Sequence, residues 1–323
     1  MQLPSVKDID VSGKRVIVRA DLDIDLGENY RLEAIIPTLE YLSSKASKII
    51  IIGHLGRPNG KVVDELKIDP VAKELKKLCP NIEFEVLENL RFDSGEESND
   101  PEFAKMLAAK GDVYINEAFA TSHRDSASIT TLPKILPHAA GLRFIEEVRN
   151  LSSVFENPQR PLLFVVGGSK DDKKEYISNL ESLADKILVG GRLPEYYGDL
   201  ALESVREVKA DSKVIIANLN QDKEDITLNS IDRFEKEIEN AKTIVLAGPL
   251  GRYEDEGHRQ GTERIFNKIA SSNAFKIVGG GDSLSVLSIY SLEDKFDWVS
   301  VGGGAMLEFL SKRTLPGIEA LVS

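Results

Sequence analysis

One pattern repeats along this chain: a short β-branched or aliphatic run closes on Gly, Asn or Asp, and an amphipathic helical stretch follows. No other feature restricts the fold as strongly. A continuous apolar run offers no polar face to water, so it fits a strand covered on both faces. Strands that alternate with helices build βαβ units and parallel sheets. The runs of the first half are Arg15–Leu22, Lys48–Gly53, Ile82–Leu87 and Val113–Asn116. Those of the second half are Leu162–Gly167, Ile187–Gly190, Val214–Ala217, Thr243–Gly248, Phe275–Gly279 and Trp298–Gly302. Between them, Ile35, Leu39 and Leu42, and likewise Phe234, Ile238 and Ala241, recur at the three- or four-residue spacing of a helix face. About ten strands exceed one comfortable doubly wound sheet, so the expectation is two α/β domains, each with a parallel sheet.

Gly141–Asn157, "GLRFIEEVRNLSSVFEN", reads as one long helix, with Leu142, Ile145, Val148, Leu151 and Val154 on one face and Pro158 after it. It is the natural connector and divides the chain into residues 1–142, a connecting helix over 143–157, and residues 158–311, with 312–323 returning to complete the first part. Leu193–Thr227 is the least legible stretch.

The chain has 323 residues, a net charge of -12 and a pI near 5.0. An acidic surface argues against nucleic acid, whose phosphates reward a basic one. The apolar runs are too short to span a bilayer, and the N-terminus has no signal-like apolar region. A single cysteine, Cys79, rules out a disulfide within the chain and makes the cytoplasm the expected compartment. Any basic cluster in so acidic a chain is therefore local.

Such a cluster exists. In parallel α/β sheets ligands sit beyond the carboxyl ends of the strands. In the first half those positions carry Asp21 and Asp23, then His54 and Arg57 in "GHLGRPNG", Arg91 in "LENLRF", and His123 and Arg124 in "INEAFATSHR"; Arg31 opens the first helix. Any one of these arginines could be a solvated surface residue, but six basic side chains at strand ends are poorly explained by chance. A guanidinium offers a planar fork of donors that fits carboxylate or phosphate, so these residues outline an anion site. Asp21 and Asp23 would accept from a ligand hydroxyl or hold the arginines in place. The second half offers Lys170 and, a turn on, Lys174, then the glycine runs Gly279–Gly281 and Gly302–Gly304, each ending a strand and opening a helix. Bared amides beside a helix dipole make a phosphate cradle. Neither GxxxxGK[ST] nor GxGxxG occurs. Asp282 and Ser283 stand at the helix start. Asp282 reads either as an N-cap or as a single carboxylate able to hold Mg²⁺. His138 and His258, without companions, read as structural, and Cys79 as a small buried residue.

The ordered segments "VIVRADLDI", "GHLGRPNG", "LENLRF", "DVYINEAFATSHR", "VVGGSK", "GPLGRYE…GT", "IVGGGDS" and "VGGGA…LPGIEAL" resemble the phosphoglycerate kinase family over nearly the whole chain. The resemblance implies two Rossmann-like domains joined by a hinge: a 3-phosphoglycerate domain and a nucleotide domain. It also implies Mg²⁺-dependent phosphoryl transfer between ATP and 3-phosphoglycerate by a monomer. By position, Arg57, Arg91, Arg124, His54 and His123 would surround the substrate phosphate, and Asp21 and Asp23 its hydroxyl and carboxylate. Arg31 would be the catalytic arginine. Lys170 and Lys174 would contact nucleotide phosphates, with Lys170 following the transferred group. Glu254 would meet the ribose, and Asp282 the metal. Gly279, Gly280, Gly281 and Ser283 would line the phosphates, and Gly280 and Gly303 would present amides to the moving group.

The departures are Asp23 for the family's Asn, Glu117 for Asp, Ala247 for Asn before "GP", and Val301 for Thr. In addition, "GGRLPEYYG" replaces a glycine-rich helix start, and two connecting stretches are shortened. The rival readings are a non-catalytic phosphate- or nucleotide-binding protein on the same fold and a kinase for another small phosphorylated acid.

Overall fold

The computed structural model describes residues 3–27, 29–169, 173–197 and 212–323. The chain divides into two compact units, residues 1–149 with 314–323 and residues 150–313.

In the first unit, strands β1 (Arg15–Arg19), β2 (Lys48–Ile52), β3 (Glu85–Val86), β4 (Val113–Asn116) and β5 (His138–Ala140) form one parallel sheet in the order β3-β2-β1-β4-β5. Helices α1 (Tyr30–Ser43), α2 (Asp69–Leu78), α3 (Ser94–Glu97) and α4 (Pro101–Ala108) lie between the strands in sequence. The face of α1 foreseen from its period, Ile35, Leu39 and Leu42, is buried, and Leu32 joins it, each at most 1% exposed. Fully burying such a side chain is worth about 1.5–3 kcal/mol. Ile49, Ile50, Ile51 and Ile52 are all buried, as a two-faced strand requires.

In the second unit, β6 (Leu162–Val166), β7 (Lys186–Val189), β8 (Val214–Ile216), β9 (Thr243–Ala247), β10 (Phe275–Gly279) and β11 (Trp298–Ser300) form a parallel sheet in the order β11-β10-β9-β6-β7-β8. The long helix α5 (Leu142–Glu156) begins in the first unit. After it come α6 (Lys173–Leu180), α7 (Leu228–Asn240), α8 (Gln260–Ser271), α9 (Gly281–Tyr290) and α10 (Gly303–Lys312). The last helix, α11 (Pro316–Val322), belongs to the first unit and donates Gly317 N–H to the Ser122 carbonyl. Among the described residues no helix is long and apolar enough to cross a membrane.

Three expectations change. Ile82–Leu87 is extended only at Glu85–Val86. β5 was not foreseen, because "HAA" carries no β-branched residue; pairing with β4 and a bridge from Ser5 to Ala140 make the strand. On α5, Leu142 and Ile145 are only half-buried. The covered stripe is instead Phe144, Glu147, Val148, Leu151 and Val154, with Phe144 edge-on to Phe119 at 5.8 Å.

Candidate functional site

In the first sheet the strand order reverses between β1 and β4, the position beyond whose carboxyl ends such sheets place ligands. Asp21, just beyond β1, links the segments that follow these two strands. One carboxylate oxygen accepts from Thr121 Oγ1 at 2.6 Å and the other from Ala120 N at 2.8 Å. Asp21 is thus committed to fastening the loop after β4, a role that spacing alone did not reveal. Asp23 fastens the other side: its Oδ1 accepts from Gly56 N at 2.8 Å, and its carbonyl accepts from the Arg31 guanidinium. The turn off β2 depends on Gly56, whose φ of +62° would strain any side chain.

Arg91 is buried and donates from its guanidinium to the Gly56 carbonyl at 2.6 Å, with Glu97 at 3.4 Å from its Nε. Buried Asn89 joins the two loops. It donates to the carbonyls of Leu55 (2.7 Å) and Leu66 (2.9 Å), and its Oδ1 accepts from Leu55 N (3.2 Å) and Arg91 N (3.1 Å). Arg57 is exposed at the tip, and His123 and Arg124 follow the Phe119–Thr121 turn, half-buried.

His54 lies at the centre, 4% exposed. Burial, then the charges of Arg19, Arg91, Arg124 and Arg31, hold it well below the ordinary histidine range. Four guanidiniums are therefore felt at one ring. Arg91 itself is pushed down, first by burial and next by Arg124. Stacking cations against each other out of water is costly, and an anionic ligand would relieve that cost. Sequence reasoning missed Arg19, which is fully buried and donates to His54, and with it Ser128 and Glu96 behind it. Arg19 lies within "VIVRADLDI", where it reads as a strand residue. No sequence signal marked Ser128 or Glu96.

The second sheet reverses between β6 and β9. Gly168 N donates to the Pro249 carbonyl at 2.8 Å, locking the two loops. Lys170 lies outside the described residues. Lys174 is exposed; its Nζ donates to the Tyr196 carbonyl at 2.9 Å and sits 5.1 Å from the Tyr197 ring centroid. The neighbouring Lys173 is the lysine at the strand ends, donating to the carbonyls of Gly167 (2.6 Å) and Ala247 (3.2 Å).

The glycine runs open α9 and α10, and neither helix has a side-chain cap. Gly280 has a φ of +107°, and a Cβ on Gly303 would stand 2.7 Å from the Gly280 Cα, so both positions must be glycine. Gly281 and Gly304 are different: a Cβ there would meet nothing within 4 Å. Packing therefore does not demand glycine at those two positions. Gly279, beneath them, is buried against Met306.

Asp282 is not the cap. The N-cap is Gly280, and Asp282 is an exposed carboxylate in the first turn. Ser283 is buried and its Oγ accepts from Gly248 N at 2.9 Å, tying α9 to the loop after β9. Glu254 is exposed on that loop.

His258 does have companions. Its Nε2 lies 2.8 Å from Asp222 and its Nδ1 3.0 Å from Asp255. Hydrogen bonds to both carboxylates raise its affinity for a proton. It pins the loop after β9 to the turn at 220–225, part of the stretch that was least legible in sequence. Asp225 strengthens that join by accepting from Gly261 N at 2.9 Å, and Arg252 N donates to the Glu224 carbonyl.

A family model described as phosphoglycerate kinase matches residues 6–86, 80–206 and 198–313. The chain is 36% identical to phosphoglycerate kinase of Dictyoglomus turgidum over 386 aligned positions, covering 98% of this chain and 97% of that one. It is 34% identical to that of Moorella thermoacetica, covering 98% of each. Both alignments are longer than this chain, so these relatives carry segments that it lacks. Among solved structures, phosphoglycerate kinase from Coxiella burnetii superposes with a TM-score of 0.80 at 30% identity, covering 99% of both chains. That of Pyrococcus horikoshii gives 0.85 at 24% identity, covering 99% of this chain and 98% of the other, a likeness of fold. Sequence over nearly its full length and both parallel sheets agree: the chain belongs to the phosphoglycerate kinase family.

Proposed function

We propose that this protein transfers a phosphoryl group reversibly between ATP and the carboxylate of 3-phosphoglycerate, with 1,3-bisphosphoglycerate and ADP as the other pair. The observation that carries the reading is the charge of Arg19, Arg91, Arg124 and Arg31 felt together at a buried His54 in a chain of net charge -12. Phosphoryl transfer needs positioning and charge stabilisation more than covalent help. The acceptor is a carboxylate, already ionised, so no general base is required.

In this reading the first unit binds 3-phosphoglycerate. Arg57, Arg91, Arg124, His54 and His123 hold its phosphate, while Asp21 and Asp23 keep the surrounding loops in register. Arg31, fixed by the Asp23 carbonyl, neutralises charge on the group in flight. The second unit binds the nucleotide on the amides of Gly280, Gly281, Gly303 and Gly304, with Lys170, Lys173 and Lys174 from the segment after β6 and Glu254 at the ribose.

Among the described residues no cluster of three or more His, Cys, Asp or Glu can hold a metal. A lone exposed Asp282 beside a phosphate cradle fits Mg²⁺, which prefers one or two carboxylates together with phosphate oxygens and water. When bound, Mg²⁺ would neutralise phosphate charge. We read the protein as a cytoplasmic monomer.

The deciding experiment is a coupled assay of ATP consumption with 3-phosphoglycerate, alongside calorimetry with each ligand. Turnover sustains the reading. Binding of both ligands without turnover would make the protein a non-catalytic member of the fold.

A further inference from the structure

Arg19 is wholly buried, and among the described residues it pairs with no carboxylate directly. Its Nε donates to Ser128 Oγ at 2.9 Å, one terminal nitrogen donates to the Ala20 carbonyl, and the other lies 2.9 Å from His54 Nδ1. Ser128 Oγ lies 2.6 Å from Glu96 Oε1, and the buried Glu96 also takes Ser126 Oγ and Ser128 N, each at 3.0 Å. The polarity of this chain follows from its donors. Ser128 Oγ accepts from Arg19 and spends its single proton on Glu96. A guanidinium only donates, so His54 Nδ1 must be the lone-pair nitrogen. A neutral imidazole carries its one proton on the other nitrogen. Nε2 is therefore the donor, and the nearest carboxylate oxygen, Asp23 Oδ2, is 3.7 Å away, beyond hydrogen-bond length.

We propose that Arg19 is a positioning residue which, backed by Ser128 and Glu96, fixes His54 as a neutral Nε2–H donor aimed at the anionic ligand of the first unit. This rests on the reading of that unit as the 3-phosphoglycerate site. The groups that bear on the ring are Arg19, Arg91, Arg124, Arg31 and Asp23; the four cations agree with a ring that stays unprotonated. A histidine left to itself would switch charge and tautomer near neutrality. Held this way, it contributes a hydrogen bond of constant direction across the pH range in which the site works.

Long-range proton–nitrogen NMR on protein labelled at its histidine nitrogens reads the tautomer directly. The His54 signals are identified as those missing from His54→Gln. The expected result is a lone-pair Nδ1 and a protonated Nε2 that do not titrate between about pH 5.5 and 8, with Nε2 shifting when 3-phosphoglycerate is added. Ser128→Ala should let His54 sample both tautomers and weaken 3-phosphoglycerate about tenfold. ATP affinity should not change. A proton on Nδ1 in the unsubstituted protein, or titration of His54 within that window, overturns the proposal whether or not Ser128→Ala folds. So does a Ser128→Ala protein with unchanged spectrum and unchanged 3-phosphoglycerate affinity. Absence of turnover alongside the stated tautomer and ligand shift would instead overturn the kinase reading alone.

Discussion

Each unit brings a histidine to charged company at the carboxyl edge of its sheet and treats it in the opposite way. His54 is buried among arginines and kept neutral. His258 is partly exposed between Asp222 and Asp255, and with a carboxylate at each nitrogen it is held as the imidazolium. In the function proposed for this protein, the contrast corresponds to two ways of meeting an anion. The first unit desolvates cations and fixes them in a web of loop contacts through Asp21, Asp23 and Asn89. The second leaves backbone amides bare at two helix starts and spends its side-chain charges on bracing the loops around them. A side-chain site fails by losing individual charges, and a backbone site by losing space.

The largest expected effect lies on the first side. Arg31→Ala should lower kcat by about 10²–10³-fold with KM for 3-phosphoglycerate little altered, because its contribution is to the transition state. Steady-state kinetics check it, and a kcat within a few-fold of the parent would remove Arg31 from that role. Next, Arg91→Ala and Arg57→Ala should each weaken 3-phosphoglycerate by roughly 1.5–3 kcal/mol, leaving ATP untouched. Arg91 should show the larger loss, since it also carries the Gly56 carbonyl. Calorimetry with both ligands tests this, and equal losses for ATP would erase the division of labour.

The mirror-image change is Gly303→Ala. Its Cβ would drive into the Gly280 Cα, and such overpacking costs about 1–3 kcal/mol. ATP affinity should fall by about tenfold while 3-phosphoglycerate binds as before; a variant with normal ATP binding would mean the nucleotide sits elsewhere.

The smallest effect separates the histidines. His258 has its proton affinity raised above the ordinary value of 6.5. What it adds to stability is therefore complete below about pH 6.5 and is lost as pH climbs through the raised value. Melting curves of the parent and His258→Gln should converge as pH rises from about 6 to 9. Between about pH 7 and 9 the affinity for 3-phosphoglycerate should stay flat, because His54 has no charge to lose there. A gap that widens with pH would contradict the imidazolium assignment.

Most of the strands were legible because strands covered on both faces must be written as unbroken apolar runs, as Ile49–Ile52 and Leu162–Val166 are. β5 was not, because three small residues become a strand only through their neighbours. The rim arginines were legible by position after a strand. Arg19 was not, because a charged residue inside an apolar run carries no mark of what it faces. Lys173 and Lys174 are adjacent in sequence, and only the path of α6 decides which one reaches the strand ends.

By itself the sequence determined two parallel-sheet units, the glycines at Gly280 and Gly303, and the basic residues gathered at the first sheet's edge. These are matters of local period, backbone permission and spacing along one strand–helix unit. Tertiary structure decided which proton His54 carries, that Asp21 fastens a loop, and that His258 joins two loops between Asp222 and Asp255. Each of those depends on groups from distant parts of the chain meeting out of water. There the number of donors and acceptors is fixed by the partners that folding supplies.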